Sequence, residues 1–191
     1  KFDVSGCVWS SMGRNDFFVL EPGYQQILEG NEGNEPTRLQ ITVLNETRRI
    51  GNIETRVVEE RESENGELVE ISRNYFAVCT PVSDVFYFGE EVDLYKDGKV
   101  TGHEGAWIAE TAGAKAGLFM PYRPLLGARF YQEIAHSVAM DRVEIQSDND
   151  TLKTPAGDFH DCLKTEETTP LEPGVKEYKI YAKGIGIIKD G

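Results

Sequence analysis

Residues able to do chemistry are present in this chain, though few stand at working spacing. Two carboxylates sit beside aromatic residues: Glu104 ahead of Trp107, and Glu133 after Tyr131. A carboxyl partly buried against rings has a raised pKa and can act as an acid. The plainer role is structural, with each carboxylate accepting backbone or tyrosine hydrogen bonds and fixing a sheet. His160 and Cys162 are two apart in a strand-like stretch, which places both on one face and Asp161 on the other. That pair offers nitrogen and sulfur to zinc or copper, or it is a polar residue beside a buried thiol. Asp148-Asn149-Asp150 reads as an oxygen-rich turn, a partial ligand set for a calcium ion that takes roughly six to eight oxygens. It reads equally as an ordinary Asx turn.

Aromatic residues concentrate mid-chain: Tyr75, Phe76, Phe86, Tyr87, Phe88, Trp107, Phe119, Phe130 and Tyr131. On a curved sheet that does not close, they would form a concave apolar surface for a lipid tail or hydrophobic ligand. The competing reading is that the rings fill the core. The ligand-binding candidates are therefore Tyr75, Tyr87, Glu104, Trp107, Phe119, Tyr131 and Glu133, and the metal candidates Asp148, Asp150, His160 and Cys162. The acidic run Glu59, Glu60, Glu62 and Glu64, beside Arg56 and Arg61, reads as a solvated face. Nucleophilic catalysis finds little support. There is no G-x-S-x-G elbow, and Ser10-Ser11 lies far in sequence from His103, His136 and His160. Metal motifs of the HExxH or EF-hand kind are missing too. The sequons at Asn45 and Asn149 matter only if the source glycosylates.

The balance of 33 acidic against 20 basic side chains gives a net charge of -13. That field repels phosphate backbones and anionic bilayers, and suits calcium, cationic peptides or neutral ligands. It also serves solubility alone. No apolar run approaches the ~20 residues of a membrane helix. Cys7, Cys79 and Cys162 are an odd set, too widely spaced for a CxxC motif. A Cys7–Cys79 bridge would staple the N-terminal segment to the sheet in an oxidising compartment, leaving Cys162 as a core thiol. The chain opens on Lys1 rather than Met, so a removed signal peptide, or a lipid-anchored Cys upstream, is expected.

The elements that must position these groups are strands. Leu39, Ile41 and Val43 alternate with Gln40 and Thr42, the period of a half-buried strand. Residues 53–62 and 67–79 are strand-like and joined at Asn65-Gly66, a strong hairpin signal. Residues 85–88 read as a short aromatic strand ending at Gly89, and Asp97-Gly98 as a second hairpin between 92–96 and 99–103. Pairs follow at 128–135 with 140–147, then 159–168, 176–182 and 185–189. Residues 30–36 read as a loop. Helical turns are expected only near Gly23–Leu28 and Ala112–Leu118, the latter weakened by Gly113 and Gly117. The expected fold is all-β. One domain spans 1–191, with 1–37 an N-terminal extended segment and loop, and 38–191 an antiparallel sheet. A meander of this width should curl into a half-barrel or barrel, or split into a sandwich.

Several stretches resemble a family of uncharacterised bacterial exported proteins. They are 15–23, Phe86-Tyr87-Phe88 with 89–95, 103–107, 130–133, 154–159, 172–174 and 181–186. The closing pattern also resembles β-rich, lipoprotein-carrier-like half-barrels of unknown function. The resemblance implies a β-rich fold and export, periplasmic or extracellular, and no cofactor or reaction. The expected function is a non-catalytic binding module for an apolar ligand or partner protein. A structural subunit that pairs through its sheet edges is the alternative, and a hydrolase or metal protein the third.

Overall fold

The computed structural model describes residue 2 and residues 4–191. It contains no helix among them, and its strands run in chain order as follows. The first three are short: β1 (Trp9–Ser10), β2 (Gly13–Arg14) and β3 (Val19–Leu20). A long meander follows: β4 (Gln25–Glu32), β5 (Glu35–Ile50), β6 (Ile53–Glu64), β7 (Glu67–Cys79) and β8 (Asp84–Lys96). Then come β9 (Lys99–Gly102), β10 (Trp107–Ile108), β11 (Lys115–Met120), β12 (Arg129–Tyr131) and β13 (Glu133–Ile134). The C-terminal strands are β14 (Arg142–Thr154), β15 (Gly157–Thr168), β16 (Glu177–Ala182) and β17 (Gly186–Lys189).

The expected curved antiparallel sheet is present as a half-barrel of ten strands, ordered β13-β11-β8-β7-β6-β5-β4 with β1, β9 and β10 attached. A second sheet of five strands, β12-β14-β15-β16-β17, packs on its concave side. One apolar core joins the two: Val58, Phe76 and Val85 from the first sheet meet Val143, Ile145 and Leu163 from the second. The reversals sit where the sequence puts them. Asn65 and Gly66 hold φ of 51° and 81°, and Asp97 and Gly98 hold 52° and 71°, the left-handed pair that matches strand twist in a two-residue hairpin.

Four expectations are corrected. Residues 25–28 are strand rather than helical turn, because Gln25 to Leu28 pair with Thr42 to Leu39 of β5. Residues 112–118 are a turn and then β11, which pairs with β8 and β13. The stretch 30–36 is no loop: Gly30 pairs with Thr37 and Asn31 with Pro36 up to the hairpin tip, so the segment 1–37 already contains the edge strand β4. In each case long-range ladder pairing overrides weak local propensity. Finally, the strand at 85–88 does not stop at Gly89. The pairing Tyr75 to Gly89, then Phe76 to Tyr87, makes Phe88 the extra residue of a bulge. A Cβ on Gly89 would stand 2.8 Å from the Trp107 carbonyl oxygen, so glycine here admits β10 rather than ending β8.

The N-terminal segment is held on the convex side. Trp9 pairs with Cys79, and Cys7 is bridged to Cys79. Trp9 stands edge-on to Phe86 and Phe88, each with ring centroids 5.3 Å away. Arg56, expected in a solvated run, is only 4% exposed. Its Nε donates to the Ser11 carbonyl at 2.9 Å and its Nη1 to the Glu46 carbonyl at 3.3 Å, at the place where β5 bulges between Val43 and Thr47. The guanidinium thus ties a carbonyl of the N-terminal segment to one at the β5 bulge.

The joint between the sheets is Gly117. A Cβ there would lie 2.4 Å from both the Tyr131 and Gln132 carbonyl oxygens, which are backbone and cannot move aside. Gly117→Ala is therefore expected to cost about 3 kcal/mol and to lower Tm by roughly 6–12 °C in thermal denaturation. An unchanged Tm would show that the close approach is not what fixes the two sheets.

Candidate functional site

Alternation along the central strands decides which side chains face the second sheet. Val58 lies opposite Asn74, and Glu60 opposite Ser72. Asn74 in turn lies opposite Glu90, and Phe76 opposite Tyr87. The facing sheet presents Val143, Ile145, Leu163, Thr165, Glu167, Lys179 and Tyr181. The interior is thus aromatic over one part and acidic over the next.

The aromatic part is a stack of rings. Phe76 and Tyr87 are parallel, with centroids 4.8 Å apart. Trp107 and Phe119 meet Tyr87 edge-on at 5.1 and 5.8 Å, and Phe18 meets Phe119 at 5.3 Å. A cavity of about 70 Å³ opens beside them, lined by Phe18, Phe76, Phe119, Tyr181, Glu60 and Lys179 among others. That volume admits a few heavy atoms, well below the ~300 Å³ of a drug-sized site.

The polar part is held by hydrogen bonds at one end and an ion cluster at the other. Tyr87 donates its hydroxyl to Asn74 Oδ1, and Asn74 Nδ2 donates to Ser72 Oγ at 3.1 Å. Burial, then the nearby carboxyls of Glu90, Glu133 and Glu60, push the Tyr87 hydroxyl well up. Burial, reinforced by Glu60 and Glu70, lifts Glu90 to about 7. Glu60 is also lifted to about 7 by burial, against the pull of Lys179. Lys179 Nζ stands 3.0 Å from Glu167 and 3.5 Å from Asp190. Burial works to lower the Lys179 pKa, but these two carboxylates outweigh it and raise it. No salt bridge or hydrogen bond from a described residue reaches Glu60. Three buried polar atoms, Trp107 Nε1, Thr165 Oγ1 and Glu167 Oε1, have no hydrogen-bond partner among the described residues.

The ligand-binding candidates divide. Tyr87, Trp107 and Phe119 come together in the ring stack. Tyr75 faces the other way, on the convex side: its hydroxyl donates to Glu91 at 2.7 Å and Arg48 lies 4.7 Å over its ring. Glu104 is exposed, not buried against Trp107, because a turn closed by Ala106 N–H on the His103 carbonyl separates the two. Tyr131 belongs to the outer face of the second sheet, beside Arg142. Glu133 is 1% exposed and accepts the Asp141 backbone N–H. Burial first, then the Asp141 carboxyl, holds it well above the usual carboxylate range.

The metal candidates do not converge. Asp161 has φ of 52°, which breaks the alternation that would put His160 and Cys162 on one face. His160 is exposed beside Thr151 Oγ1, whereas Cys162 is fully buried. Asp148 and Asp150 lie within the extended β14, not in a turn. Among the described residues, no group of three or more His, Cys, Asp or Glu is placed to hold a metal. Ser10 and Ser11 are engaged by Met12 and Glu54, away from the histidines.

Glu60, Asn74, Glu90 and Lys179 were not singled out by sequence. The signal was present in the acidic run itself. With period two, Glu59 and Arg61 fall on the convex face, where Glu59 pairs with Arg61 and Arg73 at 3.4 and 3.2 Å. Glu60 falls inside with Val58. Comparison of the chain with known protein families, characterised proteins and solved structures finds no match.

The raised carboxyls set a sign for pH dependence. Glu60, Glu90 and Glu133 ionise at higher pH in the folded state than near the ordinary value of 4.5. The folded chain therefore holds more protons than the unfolded one above pH ~4.5, and stability falls as pH rises through the folded values. Tm is expected to fall between pH 5 and pH 9. Glu133→Gln, which removes the most deeply buried of these charges, should raise Tm at pH 8 and flatten the profile. A wild-type Tm that is level over this range would contradict the assignment.

Proposed function

We propose that the chain is a non-catalytic binding module whose cavity between the sheets takes a small amphipathic amine. The apolar part of the ligand packs on Phe18, Phe76, Phe119 and Tyr181, and its ammonium meets Glu60. The observation that carries this reading is Glu60, a carboxyl in an aromatic-walled cavity with no ion-pair partner among the described residues. Lys179 lines the same cavity, but its charge is already met by Glu167 and Asp190. A carboxylate desolvated without a partner is costly, and a cation entering the cavity offsets that cost. An ammonium about 4 Å away gains about 4 kcal/mol at an effective dielectric of 20, and the ring faces add about 1 kcal/mol. The cavity's size favours a short ligand over a lipid tail.

The Cys7–Cys79 bridge supports placing the domain in an oxidising compartment, periplasmic or extracellular. A second role, as a subunit of a larger assembly, is favoured by β4. Among the described residues it pairs with β5 alone and leaves Ile27 half exposed, an edge open to another strand.

Titration calorimetry with butylamine, tetramethylammonium and their neutral alcohol counterparts tests the primary reading. The amines should bind and the alcohols should not. Glu60→Gln should weaken binding at least tenfold. Affinity should fall as pH drops below about 7, because protons then compete for Glu60. Absence of amine binding across pH 6–9, or undiminished binding after the Glu60→Gln substitution, would overturn it.

A further inference from the structure

The outer face of the second sheet carries a chemistry unlike that of the interior. Strand registers lay two rows of side chains across it. Tyr131 lies opposite Arg142, and Arg142 opposite Thr168. Arg129 lies opposite Glu144, Glu144 opposite Glu166, and Glu166 opposite Tyr178. Lys164 shares this face, two residues before Glu166 on β15.

The two carboxylates in these rows are already engaged. Arg129 Nε donates to Glu144 at 2.7 Å. Glu166 accepts from Lys176 Nζ on both oxygens at 3.0 Å, and from the Tyr178 hydroxyl at 2.9 Å. Two cations are left over. Arg142 lies 5.9 Å over the Tyr131 ring and Lys164 lies 4.9 Å over the Tyr178 ring. Neither forms a salt bridge among the described residues. A depression of about 400 Å³ opens among Arg129, Tyr131, Arg142, Glu144, Glu166 and Thr168. In a chain of net charge -13, this face sets four cations, Arg129, Arg142, Lys164 and Lys176, against two carboxylates.

We propose that this face binds an acidic polysaccharide, a chain of sugar rings bearing carboxylate or sulfate groups. The two tyrosines stand on strands three steps apart, about 14 Å at ~4.8 Å per strand. A single small anion cannot bridge that span, whereas a polymer can. The C–H faces of sugar rings pack on tyrosine faces, whose π clouds are negative. The anionic groups then meet Arg142 and Lys164, the two cations without carboxylate partners. A polyuronate carries one charge per sugar ring and so meets less of the chain's overall repulsion than nucleic acid, whose duplex carries a charge every ~1.7 Å. A planar anionic bilayer would meet the same repulsion and cannot enter a concave depression.

Affinity electrophoresis through gels containing polygalacturonate or dextran sulfate tests the proposal, with neutral dextran as control. The wild type should be retarded by the acidic polymers alone, and less so as salt rises. Arg142→Gln, at an exposed position, should weaken retardation at least fivefold. Tyr131→Ala should do the same, while Tyr131→Phe keeps the ring and should retain binding. Circular dichroism melts of each variant separate loss of binding from loss of fold, and Arg142→Gln carries the test if Tyr131→Ala unfolds. Equal retardation of the wild type and the Arg142→Gln variant would overturn the proposal. So would retardation by neutral dextran, or stronger binding to oligo-dT or phosphatidylglycerol vesicles than to the acidic polymers.

Discussion

Desolvation of carboxyl groups between two sheets is the constraint on which this structure turns. The strands that build the concave face are rich in glutamate, and period two sends every second side chain inward. Glu60 and Glu90 go in because their neighbours Glu59 and Glu91 go out to meet Arg61, Arg73 and Arg48. Closing the second sheet over that face removes water from the inward set. The chain meets the cost in two ways. Lys179 takes two of the charges, Glu167 and Asp190, into one ion cluster. The others are eased by holding protons to higher pH, which is why burial is the leading cause at Glu60, Glu90 and Glu133 alike.

The scaffold that imposes this burial is tied at its irregular points. The Phe88 bulge lets β10 approach and brings Trp107 over Tyr87. Gly117 lets the backbone of 131–132 cross β11 closely, and that crossing leads the chain from β12 in the second sheet back to β13 in the first. Arg56 fills the gap where β5 bulges. The Cys7–Cys79 bridge fixes the N-terminal segment over Phe86 and Phe88. None of these features adds much area of its own. Each sets the curvature or crossing that brings the acidic face under its cover.

The fold class was legible because it rests on local rules. Asn65-Gly66 and Asp97-Gly98 could be read as hairpins, since their φ requirement belongs to the residues themselves. The strand hidden in 25–36 was not legible, because its polar residues pair only when β5 lies alongside. The site was half legible. Tyr87, Trp107, Phe119 and Glu133 were singled out by aromatic density and by a carboxyl near rings, and all four are buried or packed in the interior. Tyr75 failed for want of parity: it neighbours Phe76, so one of the pair must face away. His160 and Cys162 failed because a single left-handed residue, Asp161, reverses the parity on which the pairing depended.

The same parity rule explains how one sheet carries opposite chemistries on its two sides. On β15, Thr165 and Glu167 face the interior and Lys164 and Glu166 face solvent. On β16, Lys179 is drawn inward to the carboxylates while Tyr178 is left outside. Moving Lys179 inside takes a cation from the surface, yet the outer face still holds Arg129, Arg142, Lys164 and Lys176 because β12 and β14 supply arginines at matching parity. A one-residue slip of β14 against β15 would turn Arg142 and Glu144 into the interior and Val143 and Ile145 out to solvent. The buried Val143 and Ile145 forbid that slip, since they would then face water. Hydrophobic register therefore fixes the charge pattern of both faces at once, and a sheet only five strands wide separates an acidic interior from a basic exterior.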